Sequence, residues 1–104
     1  MKIRTAIALG ATIVATSTVF AAEPGADTYK AKCQMCHGAT GLADSGAGKA
    51  MKVKPITDPS VRKLTEAEMI TATKNGMGKM QPFKEKLTEA QVKDAVAYFR
   101  TFLK

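Results

Sequence analysis

The chain has 104 residues with a formal net charge of +7, and it contains two cysteines, one histidine and no tryptophan. That length allows one domain with a thin core, and such domains usually need a disulfide, a metal or a bound cofactor. The charge comes mostly from scattered lysines, without an arginine cluster or a basic stripe interleaved with aromatic residues, so the composition disfavours nucleic-acid binding.

The first 21 residues have the pattern of an export signal. Lys2 and Arg4 precede a mostly apolar run that ends at Val19-Phe20-Ala21, which has the residue sizes of a cleavage site. The run is shorter and more polar than a membrane span of about 20 apolar residues. We therefore predict a signal peptide at residues 1–21, a mature domain at residues 22–104 without a membrane span, and export to a bacterial periplasm. An uncleaved N-terminal anchor is the alternative.

The mature chain keeps an excess of positive charge. Without Lys2 and Arg4 the net charge is +5. A basic exported protein is suited to docking on acidic protein surfaces by electrostatic steering, although the same charge also serves plain solubility.

Helical patterns occur in three places, and no stretch alternates with the period of two that marks a strand. The first helix is predicted from about residue 25 to the cysteines, because Pro24 suits an early helical position. Gly25, Tyr29 and Cys33 then fall on one face of that helix.

The second and third predicted helices begin at capping boxes, TEAE at 65–68 and TEAQ at 88–91. The second helix should end at Asn75-Gly76. Its predicted buried side consists of Met69, Ile70 and Thr73. The third helix has an apolar stripe and an exposed Glu89–Lys93 pair. That stripe consists of Val92, Ala95, Val96, Phe99 and Leu103.

Two irregular segments, 38–63 and 76–87, separate the predicted helices. Such long segments in a small domain are usually functional or wrapped around something. Asp58-Pro59 could start one short turn within the first of them.

The motif KCQMCHG at 32–38 carries the chemistry. Structural zinc needs four ligands, and this chain offers two cysteines and His37, its only histidine. A thioredoxin-like pair is expected at the start of a helix in a βαβ unit, which the pattern lacks. Copper binding by sulfur would need the methionines grouped, and they are scattered. C-x-x-C-H is the attachment sequence of c-type haem, so haem is the favoured interpretation.

The motif CQMCHG at 33–38 resembles the haem site of the small class I cytochromes c. Gly25 and Tyr29 match the family's glycine–aromatic pattern in the N-terminal helix, and DAVAYF at 94–99 is similar to its C-terminal helix. The resemblance implies an all-α class I cytochrome c fold, with three main helices and with loops wrapped around one haem c. It also implies that the N- and C-terminal helices pack together, with the glycine allowing close approach.

The resemblance further implies thioethers from Cys33 and Cys36, His37 as proximal iron ligand and a distal methionine. The segment GKMQPF at 78–83 resembles the family's Gly-x-Met-Pro-x-aromatic segment, which favours Met80 over Met77, although Gln81 stands where the family has proline. The Pro55 region is the candidate for a carbonyl that accepts a hydrogen bond from His37.

These features together predict a monohaem electron carrier rather than an enzyme. Its partners would be redox proteins, with acidic surfaces that dock on an exposed haem edge, and the protein is expected to be a monomer. The predicted lysine rim of that edge consists of Lys32, Lys49, Lys52, Lys79 and Lys84. Two other possibilities stay open: a haem subunit or domain of a larger oxidoreductase, and a haem sensor or enzyme with an open sixth position.

Overall fold

The computed structural model describes residues 8–13 and 23–103. The boundary between residues 21 and 22, where signal cleavage is predicted, lies outside the described residues, as does most of the signal sequence. Signal cleavage therefore stays a prediction. Among the described helices, none is both long enough and apolar enough to cross a membrane.

The described part of the chain is all-α, as predicted. Its α-helices are, in chain order, α1 Ala26–Lys32, α2 Gln34–His37, α3 Gly46–Ala50, α4 Pro59–Arg62, α5 Glu66–Asn75 and α6 Glu89–Arg100. A 3₁₀ turn at Thr101–Leu103 follows α6. Within these residues the only β-type pairing is an isolated bridge between Met77 and Met80.

Helices α5 and α6 begin where the sequence predicts, because each start is fixed by local hydrogen bonds. Thr65 accepts from the Glu68 N–H, and the Glu68 carboxylate accepts from the Thr65 N–H. Thr88 and Gln91 make the same reciprocal pair at the start of α6. The two helices pack against each other. Two reciprocal pairs satisfy backbone donors that an uncapped helix would leave exposed.

The main core lies between α5, α6 and the segment that joins them. Its buried members are Met69, Phe83, Leu87, Val92 and Val96. Thr73 is also buried, whereas Ile70 and Phe99 of the predicted apolar faces are half-buried at the edge of the cluster. The predicted Glu89–Lys93 pair gives way to an ion pair between Glu89 and Lys74, with an N–O distance of 3.0 Å, that links α6 to α5.

A second apolar region holds α1 against α6. The ring of Tyr29 is 2% exposed and lies 5.4 Å from Tyr98, 5.9 Å from Phe99 and 5.6 Å from Phe102, measured between ring centroids. Aromatic rings at these separations pack favourably beyond the area that they bury. The predicted contact between the N- and C-terminal helices is therefore an aromatic one.

The segment 38–63 is more ordered than the sequence indicates. The predicted turn at Asp58-Pro59 is α4, whose Asp58 side chain accepts from the Ser60 N–H at 2.9 Å. Helix α3 was not predicted, because its sequence GAGKA contains two glycines, which disfavour helix. Ile56 is fully buried and its N–H donates to the Gly41 carbonyl at 2.8 Å. This segment therefore adds a core residue from a stretch without periodicity.

Candidate haem site

The two cysteines lie on one turn of backbone at the junction of α1 and α2. The N–H groups of Cys36 and His37 both donate to the Cys33 carbonyl, at 3.2 and 3.0 Å. Residues three apart on such a turn face the same side of it. Both cysteines are free thiols and half-buried. The arrangement can present two sulfur atoms to one flat ligand.

Helix α3 packs closely on α2 and holds the cysteine turn in place. A Cβ atom on Gly48 would overlap the Cys36 carbonyl oxygen and lie 2.8 Å from the Ala43 carbonyl oxygen. The Ser45 hydroxyl donates to the Met35 carbonyl at 2.5 Å and accepts from the Gly48 N–H at 3.0 Å. The Met51 thioether lies 3.9 Å from the Cys36 sulfur. None of these contacts was predicted from the sequence, where Gly48 looks like an ordinary loop glycine.

His37 ends α2 with its imidazole beside the aromatic cluster. The ring centroid lies 5.2 Å from that of Phe99, in an edge-to-face arrangement. Burial lowers the pKa of His37. The neutral imidazole, which is the form that binds a metal, is therefore favoured at neutral pH.

One nitrogen of this ring, Nδ1, is buried and has no hydrogen-bond partner among the described residues. The hydrogen bond predicted from His37 to the Pro55 carbonyl is absent from the described contacts, and that carbonyl accepts from the Asp58 N–H at 2.9 Å. An unpaired buried polar atom costs roughly 1–3 kcal/mol. The described residues thus leave the hydrogen-bonding capacity of the His37 ring unsatisfied.

The environment of Cys33 does not favour a redox-active thiol. Burial raises the pKa of Cys33 to about 11, with the neighbouring Cys36 as a smaller cause. Redox-active C-x-x-C pairs have a lowered pKa instead, because the thiolate is the reactive form. The described residues also bring no three His, Cys, Asp or Glu side chains together around a possible metal position. The surroundings thus favour neither the dithiol nor the zinc interpretation.

Met80 lies in a backbone-fixed segment between α5 and α6. The Met77 N–H donates to the Met80 carbonyl at 3.1 Å, and the Met80 N–H donates to the Met77 carbonyl at 2.9 Å. Gly78, inside this turn, has a φ of +57°. Met80 is half-buried and packs against the core, whereas Met77 is 61% exposed. The turn therefore directs the Met80 side chain to the core and leaves the Met77 side chain exposed to solvent.

The residues present fit a c-type haem. Two free thiols face one side of a turn, and the next residue supplies a half-buried imidazole whose buried Nδ1 has no partner among the described residues. Cys33 and Cys36 would hold the haem by thioethers, and His37 would ligate its iron. An apolar disc would also enlarge the thin core of a chain this short.

This combination of an all-α fold and a C-x-x-C-H turn defines a small c-type cytochrome. The profile of the family described as cytochrome C oxidase, cbb3-type, subunit III, matches residues 20–99. The chain belongs to this family of c-type cytochromes, and its fold and covalently bound haem c follow from that membership.

A solved structure supports the same assignment. The KustC0563 c-type cytochrome is 31% identical to this chain, with a TM-score of 0.67, over 75% of this chain and 95% of its own. No curated protein matches this chain.

Proposed function

We propose that the protein carries single electrons on one haem, with His37 and Met80 as the two axial ligands and thioethers from Cys33 and Cys36. When bound, the haem supplies one-electron chemistry at its iron. The chain would hold the group, orient the imidazole and shield the iron from water. Ligation by a thioether and an imidazole would raise the reduction potential relative to ligation by two imidazoles. It would also fill the position where a substrate could bind.

The observation that carries this proposal is the environment of Met80. Its backbone is fixed by two hydrogen bonds to Met77, and its half-buried side chain packs against the core cluster. A ligand placed in advance loses little conformational freedom when it binds. Met77 shares these two backbone hydrogen bonds, but its side chain is 61% exposed and has no such contact with the core. An iron with both axial positions filled suits electron transfer better than catalysis or gas sensing.

The proposed setting is a bacterial periplasm, with redox proteins as partners and with the protein as a monomer. The support is the export pattern of residues 1–21 and the positive charge of the chain. All five lysines of the predicted rim, Lys32, Lys49, Lys52, Lys79 and Lys84, are exposed. Exposed positive charge favours encounter with acidic surfaces.

The test is the optical spectrum of the holoprotein, oxidised and reduced, for wild type and two variants. We expect the weak thioether-to-iron charge-transfer band in the oxidised wild type, its loss in Met80→Ala and its retention in the matched control Met77→Ala. The reverse pattern would assign the ligand to Met77. A high-spin iron that binds carbon monoxide readily in the wild type would replace the carrier by a sensor or enzyme with an open position.

A second candidate follows from the family description, which names a subunit of a cbb3-type cytochrome C oxidase. In that case the domain would pass electrons within one larger oxidoreductase instead of shuttling freely. The two roles differ in the state of the protein in its own cells. Purification without dissociating agents distinguishes them, because a shuttle migrates at the size of the single chain and a subunit migrates with the oxidase.

A further inference from the structure

The segment that carries Met80 leaves α5 and returns to the same end of that helix. At its start, the Gly76 N–H donates to the Ala72 carbonyl at 2.8 Å. At its end, the Phe83 N–H donates to the Thr73 carbonyl at 3.0 Å and the Lys84 N–H donates to the Lys74 carbonyl at 3.2 Å. These bonds satisfy carbonyls at the helix end that otherwise lack a helical partner. The position of Met80 therefore depends on how the chain turns at residue 76.

Gly76 has a backbone conformation that is essentially restricted to glycine. Its φ is +80° and its ψ is 162°, a region that side chains with a Cβ avoid. The chain reverses direction here because this residue can adopt that conformation without strain.

The space at Gly76 is closed by the backbone of Met80 and Pro82. A Cβ atom on residue 76 would lie 2.8 Å from the Met80 carbonyl oxygen and 3.0 Å from the Pro82 nitrogen. Backbone atoms cannot rotate away as the end of a side chain can, so an added Cβ must displace the segment 80–82. The Met80 carbonyl is also the acceptor of the Met77 N–H. Displacing it would therefore loosen the turn that holds the ligand.

We propose that Gly76 is the positioning residue for the Met80 thioether: its missing side chain lets the Met80 backbone sit where the sulfur reaches the iron. This inference rests on the proposed function, in which Met80 is the axial ligand. Gly76 would act through the carbonyl of Met80 and not as a ligand itself.

The experiment compares three glycine variants of the holoprotein. Gly76→Ala should populate the state in which the Met80 sulfur is not bound to the iron. It should therefore lose the charge-transfer band, have a lower reduction potential and bind added imidazole at least about tenfold more tightly. Gly78→Ala, with a positive φ of +57° in the turn that holds Met80 but no atom within 4 Å of its Cβ position, measures backbone strain without a clash. It should weaken the band less than Gly76→Ala does. Gly46→Ala, without a positive φ or a close neighbour, should behave as wild type.

A merely structural role predicts a different result. Gly76→Ala would then keep its band, potential and imidazole affinity and lose only thermal stability, and the proposal would be overturned. A Gly76→Ala holoprotein that fails to fold, although Met80→Ala folds, would also overturn it, because a residue that acts through Met80 should not matter more than Met80.

A double variant adds a test that is independent of stability. In the Met80→Ala background, Gly76→Ala should leave the imidazole affinity unchanged, since no thioether remains to be positioned. If Met80→Ala keeps the band, the ligand assignment fails first and the positioning role fails with it. If Met80→Ala loses the band and Gly76→Ala does not, only the positioning role fails.

Discussion

Gly25 lies directly against the backbone of Asp94, so that α1 and α6 approach more closely than any side chain at residue 25 would allow. A Cβ atom on Gly25 would overlap the Asp94 carbonyl group and lie 2.8 Å from the Ala95 nitrogen. Gly25 is also the N-cap of α1, with a φ of +87°. The relation confirms the close approach that the class I resemblance implies for these helices.

Gly25→Ala should destabilise the protein severely. The positive φ alone costs about 1–2 kcal/mol for a residue with a Cβ, and the backbone overlap must also be relieved by separating α1 from α6. Thermal unfolding of the holoprotein measures the loss. Gly78→Ala isolates the cost of a positive φ, because its Cβ would meet open space. Equal melting temperatures for the two variants would show that the helix approach contributes nothing.

The Tyr29 hydroxyl links the aromatic cluster to the end of the haem motif. It donates to the Gly38 carbonyl at 2.6 Å in a buried setting. Burial is the main cause that raises the pKa of Tyr29 well above its ordinary value, so the group remains a donor at neutral pH. Tyr29→Phe removes this bond but leaves the Gly38 carbonyl its second donor, the Gly41 N–H at 3.3 Å, so the loss should be about 0.5–1.5 kcal/mol.

Tyr98→Phe is the matched control for this hydrogen bond. Tyr98 belongs to the same cluster, 5.4 Å from Tyr29, but is half-buried. The described contacts include no hydrogen bond from its hydroxyl. Chemical unfolding should show a loss for Tyr29→Phe and little change for Tyr98→Phe. A loss of equal size in both would mean that the hydroxyl of Tyr29 is not what stabilises the fold.

Part of this fold was predictable from sequence because its determinants are local. The capping boxes at Thr65 and Thr88 contain their own hydrogen-bond partners within four residues, so the starts of α5 and α6 follow from the letters alone. The C-x-x-C-H spacing is equally local, and it indicates a haem without any knowledge of the fold.

The rest depends on contacts between segments that are distant in sequence. Helix α3 forms despite its glycines because Ser45 caps it and because Gly48 can rest on the Cys36 carbonyl. Ile56 is buried because its segment is hydrogen-bonded to Gly41. The partner of Glu89 is Lys74, fifteen residues away, rather than Lys93 on its own helix. No periodicity or propensity encodes these pairings.

The Lys74–Glu89 pair makes stability depend on pH in the acidic range. The hydrogen bond and charge of Lys74 lower the pKa of the Glu89 carboxyl. A lowered folded-state pKa means that the contribution is fully present above the ordinary glutamate pKa of about 4.3 and disappears as the pH falls through the lowered value. Both side chains are substantially exposed, so the contribution is small.

The measurement compares the melting temperatures of wild type and Glu89→Gln between about pH 6 and about pH 3, the range that spans an ordinary glutamate pKa. The difference should be largest near pH 6 and vanish at the acidic end. Glu66→Gln is the control, because Glu66 also occupies the first turn of its helix, without an ion pair to the preceding helix. A difference independent of pH, or one that Glu66→Gln reproduces, would contradict the assignment to Lys74.

Docking on acidic partners should be tested through ionic strength. If the lysine rim guides encounter, the second-order rate of electron transfer to an acidic redox protein falls steeply as salt shortens the screening length to about 10 Å at 0.1 M. Lys49→Gln, at the end of α3, should lower the rate at low salt, whereas Lys93→Gln on the exposed side of α6 should not. A rate that does not change with salt concentration, or an equal loss of rate in both variants, would contradict the proposed docking surface.

Gly48 offers the sharpest test of how the protein holds the cysteine turn, because its control lies in the same helix. A Cβ atom on Gly48 would overlap the Cys36 carbonyl oxygen, whereas one on Gly46 would have no atom within 4 Å. Gly48→Ala should therefore push α3 away from α2. Gly46→Ala should be neutral or stabilising by about 0.4–1 kcal/mol, since it reduces the freedom of the unfolded chain.

Two measurements on the holoproteins decide the Gly48 prediction. The melting temperature should fall for Gly48→Ala by several degrees, because about 1 kcal/mol corresponds to about 4–8 °C in a domain of this size. The yield of covalently attached haem should fall as well if the turn at Cys33–His37 must be held for attachment, and Gly46→Ala should preserve both values. Normal stability and attachment in Gly48→Ala would show that α3 adjusts freely and that the cysteine turn is held by α1 and the aromatic cluster alone.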